Sequence, residues 1–172
     1  MPGSISQLQM LYVPEEDRIL FRVNTSERQQ FRFWLTRRYS LLLIKVLKEH
    51  QASDPDVSMQ ESREARQAVQ SFKQEQAMTS ANFDEAFSED ANELPQGEEI
   101  PVAFKLSYNA SGGSLTVTIE PREGQGISMA IDRNINVSLT ALLMNAAGQG
   151  DWKLTASAQN ATSPSQDNIV IN

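Results

Sequence analysis

A repeat constrains this chain more than any other feature of its sequence. Sliding the 172 residues along themselves by 96 positions aligns 8–50 with 104–146 without a gap. Identity is sparse: Tyr12 falls on Tyr108, Glu27 on Glu123, Arg37 on Arg133, Leu43 on Leu139 and Leu47 on Leu143. The surviving apolar pattern is the stronger signal. Ile19, Phe21 and Val23 fall on Leu115, Val117 and Ile119, while Phe31, Phe33 and Leu35 fall on Ile127, Met129 and Ile131. Both triplets alternate with polar or variable residues, the period of a strand with one buried face.

A helix then follows in each copy. Tyr39, Leu43, Val46, Leu47 and His50 form one stripe at helical spacing, matched by Ile135, Leu139, Leu142, Leu143 and Ala146. Thr36 and Asp132 stand at equivalent positions as N-caps, and Gly148 and Gly150 suit the end of the second helix. Turn residues Pro14 to Asp17 in one copy and Asn109 to Gly113 in the other separate the first two strands. Each copy therefore reads β-β-β-α, and two copies side by side can bury a sheet face and a helix stripe that one would leave open.

The pattern predicts an α+β fold in which duplicated β-β-β-α units form one antiparallel sheet with both helices on one face, plus an acidic helical insertion. Residues 1–50 are the first copy, 51–100 the insertion and linker, and 101–158 the second copy with a further strand over 151–158. In that strand Trp152, Leu154 and Ala156 share a side. The remainder, 159–172, is a polar tail ending in Ile169, Val170 and Ile171, a short apolar run that either docks or frays.

The insertion differs in composition from its surroundings. It holds twelve acids and three bases, Arg63, Arg66 and Lys73, whereas the rest of the chain is slightly basic. Ser58 and Glu61 have capping-box spacing and predict a helix to about Met78, with Ala65, Ala68, Val69 and Phe72 as its apolar stripe. Phe83 and Phe87 then stand four apart in an acidic segment, and Pro95 and Gly97 break any helix before the second copy.

Chemical signatures are few. With no cysteine, disulfides and thiolate chemistry are excluded, and one histidine leaves little for a zinc site or a catalytic triad, so no metal, cofactor or catalytic residue is assigned. Gly124 and Gly126 lack the third glycine and the strand-to-helix setting of a dinucleotide loop. Adjacent acids such as Glu15, Glu16 and Asp17 read as solvated, and His50 reads as a cap or packing residue rather than a general base. The balance leans away from an enzyme. A net charge of −7 disfavours nucleic acid as the main partner. No apolar run approaches membrane-spanning length, and the N-terminus has no export signal, which predicts a cytoplasmic protein. The Asn-x-Ser/Thr triplets at Asn24, Asn109, Asn136 and Asn160 read as chance.

The informative contrast lies between the copies. If the apolar triplets face the helices, Arg18, Leu20, Arg22, Arg32 and Trp34 share the opposite face of the first copy. Ser114, Thr116, Thr118, Ser128 and Ala130 occupy that face in the second. Arginine and tryptophan are enriched where proteins bind, so Arg18, Arg22, Arg32 and Trp34 are the candidate partner-binding residues. The acidic insertion is expected to fold across them, with Phe83 or Phe87 against Trp34. An external protein or a second copy of the chain is the competing occupant.

Arg37 and Arg133 recur in the first turns of the two helices, where the helix dipole disfavours a cation. A Glu–Arg pair within each copy, using Glu27 and Glu123, is the simplest account, and an anion site is the alternative. The sequence thus predicts a non-enzymatic protein–protein interaction or adaptor module. Its rival is a small-ligand or anion-binding domain, a degenerate enzyme included, that uses the cleft between copies.

Overall fold

The computed structural model describes residues 3–80, 86–90, 93–154 and 168–170. Strands β1 (Ile5–Val13), β2 (Arg18–Thr25) and β3 (Gln30–Leu35) form an antiparallel meander that leads into helix α1 (Arg37–Ala52). The short α2 (Pro55–Ser58) and the longer α3 (Arg63–Ser80) follow. The order β-β-β-α then returns as β4 (Ala103–Ser111), β5 (Ser114–Pro121), β6 (Ile127–Ile131) and α4 (Arg133–Gln149). Last, β7 (Asn168–Val170) pairs antiparallel with β4, so the backbone of these three residues docks. No helix among the described residues is long and apolar enough to cross a membrane.

The expected single sheet is instead two, ordered β1-β2-β3 and β6-β5-β4-β7. Edge pairing explains the difference. The chain between the halves runs parallel along the free edge of β3, where Gln30 N–H donates to Glu93 O and Trp34 N–H to Pro101 O, both at 2.9 Å. With β3 occupied in this way and β4 paired with β7 over Lys105–Ser107, those two edges do not join the sheets.

The helices unite the halves. Thr36 Oγ1 caps α1 by accepting from Tyr39 N–H, and Asp132 Oδ1 caps α4 by accepting from Ile135 N–H. Their apolar stripes are buried together with the inner faces of both sheets in one cluster that includes Phe21, Phe33, Leu43, Leu115, Met129 and Leu143. The contacts are reciprocal: α1 packs on β4, where the buried Tyr39 hydroxyl donates to Lys105 O, and α4 packs on β1. Burial raises the Tyr39 pKa well above its ordinary value, so the hydroxyl keeps its proton and remains a donor.

The two halves match at an offset of 96 in β2 and β5, in the ends of β3 and β6, and at the starts of α1 and α4. Their first strands do not. Val13 pairs with Arg18 across a four-residue turn, whereas Ser111 pairs with Ser114 across Gly112 and Gly113 alone. Both glycines have positive φ, 58° and 85°, as a two-residue hairpin requires. The shorter turn slips β4 by two residues, so Met10 rather than Tyr12 is equivalent to Tyr108. A slip of two preserves which side chains face inward, and the apolar pattern therefore survives it.

Three other expectations change. Helix α3 is capped by Ser62, whose Oγ accepts from Ala65 N–H, because Ser58 is already the last residue of α2. Its stripe is not a core stripe: Phe72 is 64% exposed. No strand starts at 151. Trp152 N–H donates to Ala147 O and Asp151 N–H to Gly148 O, a helix-ending turn in which Asp151, not a glycine, takes the left-handed conformation. This turn folds Trp152 back into the core, edge-on to Tyr12 with ring centroids 5.8 Å apart. Phe83 and residues 155–158 lie outside the described residues.

Candidate functional site

Strand register arranges the outer face of the first sheet in rows. Gln7, Asn24 and Gln30 make one row, Gln9, Arg22 and Arg32 the next, and Leu11, Leu20 and Trp34 a third. Val102 extends the third row by bridging to Trp34. Arg18 stands beyond it, with Nη1 3.8 Å from Glu16. All four predicted partner-binding residues, Arg18, Arg22, Arg32 and Trp34, are therefore brought to one face, and all four are partly buried.

The chain itself covers part of that face. Arg22 Nη1 lies 2.9 Å from both carboxylate oxygens of Glu89, and the Phe87 ring lies 4.5 Å from the Arg22 guanidinium carbon. The ring contact of Phe87 is with Arg22 rather than with Trp34, the expected partner. Gln7 Oε1 accepts from Ser88 N–H at 2.9 Å, and Asn24 Nδ2 donates to Ser88 O at 2.9 Å. Arg32 is held on the edge side, its guanidinium donating to Gly97 O and Glu98 O and its N–H to Gln96 Oε1. Cover is graded as a result. Asn24 and Gln30 are buried, whereas Leu11 at 44% and Val102 at 38% remain exposed.

Among the described residues, the outer face of the second sheet carries no such cover. Ser114, Thr116, Ser128 and Ala130 are exposed, and Thr118 Oγ1 donates to Ser128 Oγ within the face. Residues 86–90 and 96–98 thus lie on the sheet that offers cations and amides, although both sheets have the same strand order through their three meander strands.

Arg37 and Arg133 do not come together as an anion site. Arg37 is exposed in the first turn of α1. Arg133 instead donates to His50 O at 3.3 Å and lies 3.8 Å from Asp54 Oδ2, so its carboxylate is Asp54 rather than the expected Glu123. The cation at the start of α4 meets the electronegative end of α1, which offsets the unfavourable dipole of its own helix.

Arg133 lines a cleft of about 860 Å³ between α2, α3, α4 and the end of α1, with Lys73, Asp54 and several glutamines. Lys73 Nζ donates to Asp54 at 2.5 Å and to Asp56 at 2.7 Å. Burial alone would push the Asp54 carboxyl up, but the Lys73 hydrogen bond, the Asp56 N–H and the Arg133 charge outweigh it and hold the carboxyl below its ordinary value. The same hydrogen bonds from Asp54 and Asp56 raise Lys73. Of the three lysine and arginine residues that line the cleft, Lys48, Lys73 and Arg133, the last two therefore already have carboxylates.

Beside the cleft, His50 is buried and fully partnered. Asn136 Nδ2 donates to Leu47 O and to His50 Nδ1, which leaves His50 Nε2 to donate to Gly113 O at 2.9 Å. Gln51 and Thr140 donate to Asn136 Oδ1. This is a packing role. Burial of Asn24 and Asn136 also fits the reading of their sequons as chance.

The sequence pattern did not mark Gln7, Gln9, Asn24 or the Asn136 network. Alternation places the first three on the outer face, but nothing in an amide's identity says that it grips a neighbouring backbone. The chain matches no protein-family model, no curated protein and no solved structure.

Proposed function

We propose that the protein is a cytoplasmic, non-enzymatic protein–protein interaction module, built by duplication of a β-β-β-α unit, that binds through the outer face of its first sheet. The observation that carries this reading is the open third row, Leu11, Leu20, Trp34 and Val102, flanked on both sides by arginines. Apolar and aromatic groups ringed by arginine are the composition of binding hot spots. The offset of 96 shared by the second strands, third strands and helices supports the duplication. The small-ligand alternative has a cleft to occupy, but two of its three lysine and arginine residues, Lys73 and Arg133, are already engaged by Asp54.

Cross-linked capture with the full chain, compared with Leu11→Asp and Arg18→Glu, tests the module. A discrete partner, or a second copy of the chain, should be held by the wild type and lost from both variants while their melting curves are unchanged. Capture that both variants retain would overturn the reading.

A further inference from the structure

The covered half of the same face is organised differently from the open row, and the difference points to the kind of partner. Residues 86–90 contact it in two ways at once. Side-chain amides read their backbone: Gln7 Nε2 donates to Ala86 O at 3.3 Å, Gln7 Oε1 accepts from Ser88 N–H, and Asn24 Nδ2 donates to Ser88 O. Such contacts suit any extended peptide. Arg22 reads side chains instead, with Glu89 on one of its nitrogens and the Phe87 ring against the guanidinium. These contacts select an aromatic residue two positions before a carboxylate.

The receptor groups are set in place independently of their occupant. Gln9 Oε1 accepts from Arg22 Nε at 2.6 Å and also from Nη2, which leaves Nη1 directed outward. Asn24 Oδ1 accepts from Gln30 Nε2, and Asn24 Nδ2 also donates to Gln7. The occupant is held more loosely: Glu89 is 70% exposed against 15% for the Arg22 side chain, and a charge pair with one side in water is weak and sensitive to salt.

We propose that Gln7, Arg22 and Asn24 form a receptor for acidic, extended peptide segments carrying an aromatic-x-glutamate sequence, and that residues 86–90 are its built-in competitor. This inference rests on the reading of the first sheet's outer face as a binding surface. A tethered segment acts at an effective concentration near the millimolar range, so a partner in trans binds only when its own contacts exceed those of the competitor or when the competitor is weakened.

The test uses a fluorescent peptide with the sequence of residues 84–92, DEAFSEDAN, titrated into the full chain. Phe87→Ala combined with Glu89→Lys opens the receptor through two partly or fully exposed positions. The peptide should bind this variant roughly tenfold or more tightly than the wild type, since the competitor is gone. Binding should weaken with salt, and it should disappear when Arg22→Gln is added or when the peptide's own glutamate after serine becomes lysine. Asn24→Ala added to the opened variant removes a backbone contact while leaving the charge, and it too should weaken peptide binding.

Equal binding to wild type and opened variant, or binding that ignores Arg22, would overturn the proposal. So would preferential binding of a short oligothymidylate by the opened variant, or formation of mixed dimers between wild type and opened variant, which would make the occupant a nucleic acid or a second copy. Failure of the peptide to bind overturns it even where capture through Leu11 persists, so the two readings fail separately.

Discussion

Asn136 meets the full hydrogen-bonding capacity of its amide inside the protein, giving two bonds from nitrogen and taking two at oxygen. Removing it leaves buried His50 Nδ1 without its donor and takes one partner each from Leu47 O, Gln51 and Thr140, and unsatisfied buried groups cost more than a hydrogen bond contributes. Asn136→Ala should therefore lower stability by about 2–3 kcal/mol in urea denaturation. A loss under about 0.5 kcal/mol would mean that water replaces the amide. Asp54 is a different case because its energy depends on pH. Its carboxyl titrates lower in the folded chain than in the unfolded one, so its stabilisation is complete above the ordinary value and is lost as pH falls through the folded value. Asp54→Asn keeps a side-chain oxygen for the α2 cap and removes only the charge seen by Lys73 and Arg133. We expect a cost of about 1 kcal/mol at neutral pH, with the difference from wild type closing as pH falls below the ordinary carboxylate range. A difference that persists at the lowest pH would assign the effect to packing.

Among the elements, α1 and α4 are the ones on which both sheets depend. Leu43→Ala or Leu143→Ala should each lose about 2–5 kcal/mol, as truncating a leucine in a closed core does, read from denaturant midpoints. These helices and strands β2, β3, β5 and β6 were legible in the sequence because period-2 and period-3.6 patterns record burial directly. What stayed hidden was information carried by backbone or by loop length. The two-residue slip of β4 is invisible to an ungapped alignment, since it keeps every side chain on its face, and the coincidence of Tyr12 with Tyr108 concealed it. Capture of the β3 edge by Glu93 and Pro101 uses carbonyl groups that every residue possesses. Gly150 caps the end of α4, as its position suggested, but the left-handed residue that completes the turn is Asp151, which no pattern marked. Of the candidate site, the Arg and Trp face was legible from alternation. Its amide clamp was not, because the contacts of Gln7 and Asn24 go to backbone atoms some eighty and sixty-four residues away in sequence.

For the molecule as a whole, the reciprocal packing of α1 on β4 and α4 on β1 decides how it unfolds. A half detached from its partner would expose the strip of its own first strand on which the other helix rests, and its helix would lose the surface that buries Leu43 or Leu143. One hydrophobic cluster shared by both sheets leaves no internal boundary at which melting could pause. Trp152 sits within this cluster against Tyr12 and reports on both halves, whereas Trp34 reports the outer face of the first. We therefore expect Trp152 fluorescence, measured with Trp34 replaced by phenylalanine, to follow far-ultraviolet circular dichroism through one transition at every urea concentration. Replacing residues 86–90 with glycine and serine should leave that transition nearly in place, because their contacts lie outside the cluster and are largely open to solvent. Helix α3 should depart from this behaviour. Its ties to the body include the Lys73 pairs with Asp54 and Asp56, and its Phe72 lies open, so its amides should exchange with deuterium faster than those of α1 and α4. Asp54→Asn should widen that gap without shifting the exchange of α4 by more than the global loss in stability. A Trp152 transition separate from that of the circular dichroism, or equal protection of α3 and α4, would contradict a single core with a loosely attached helix.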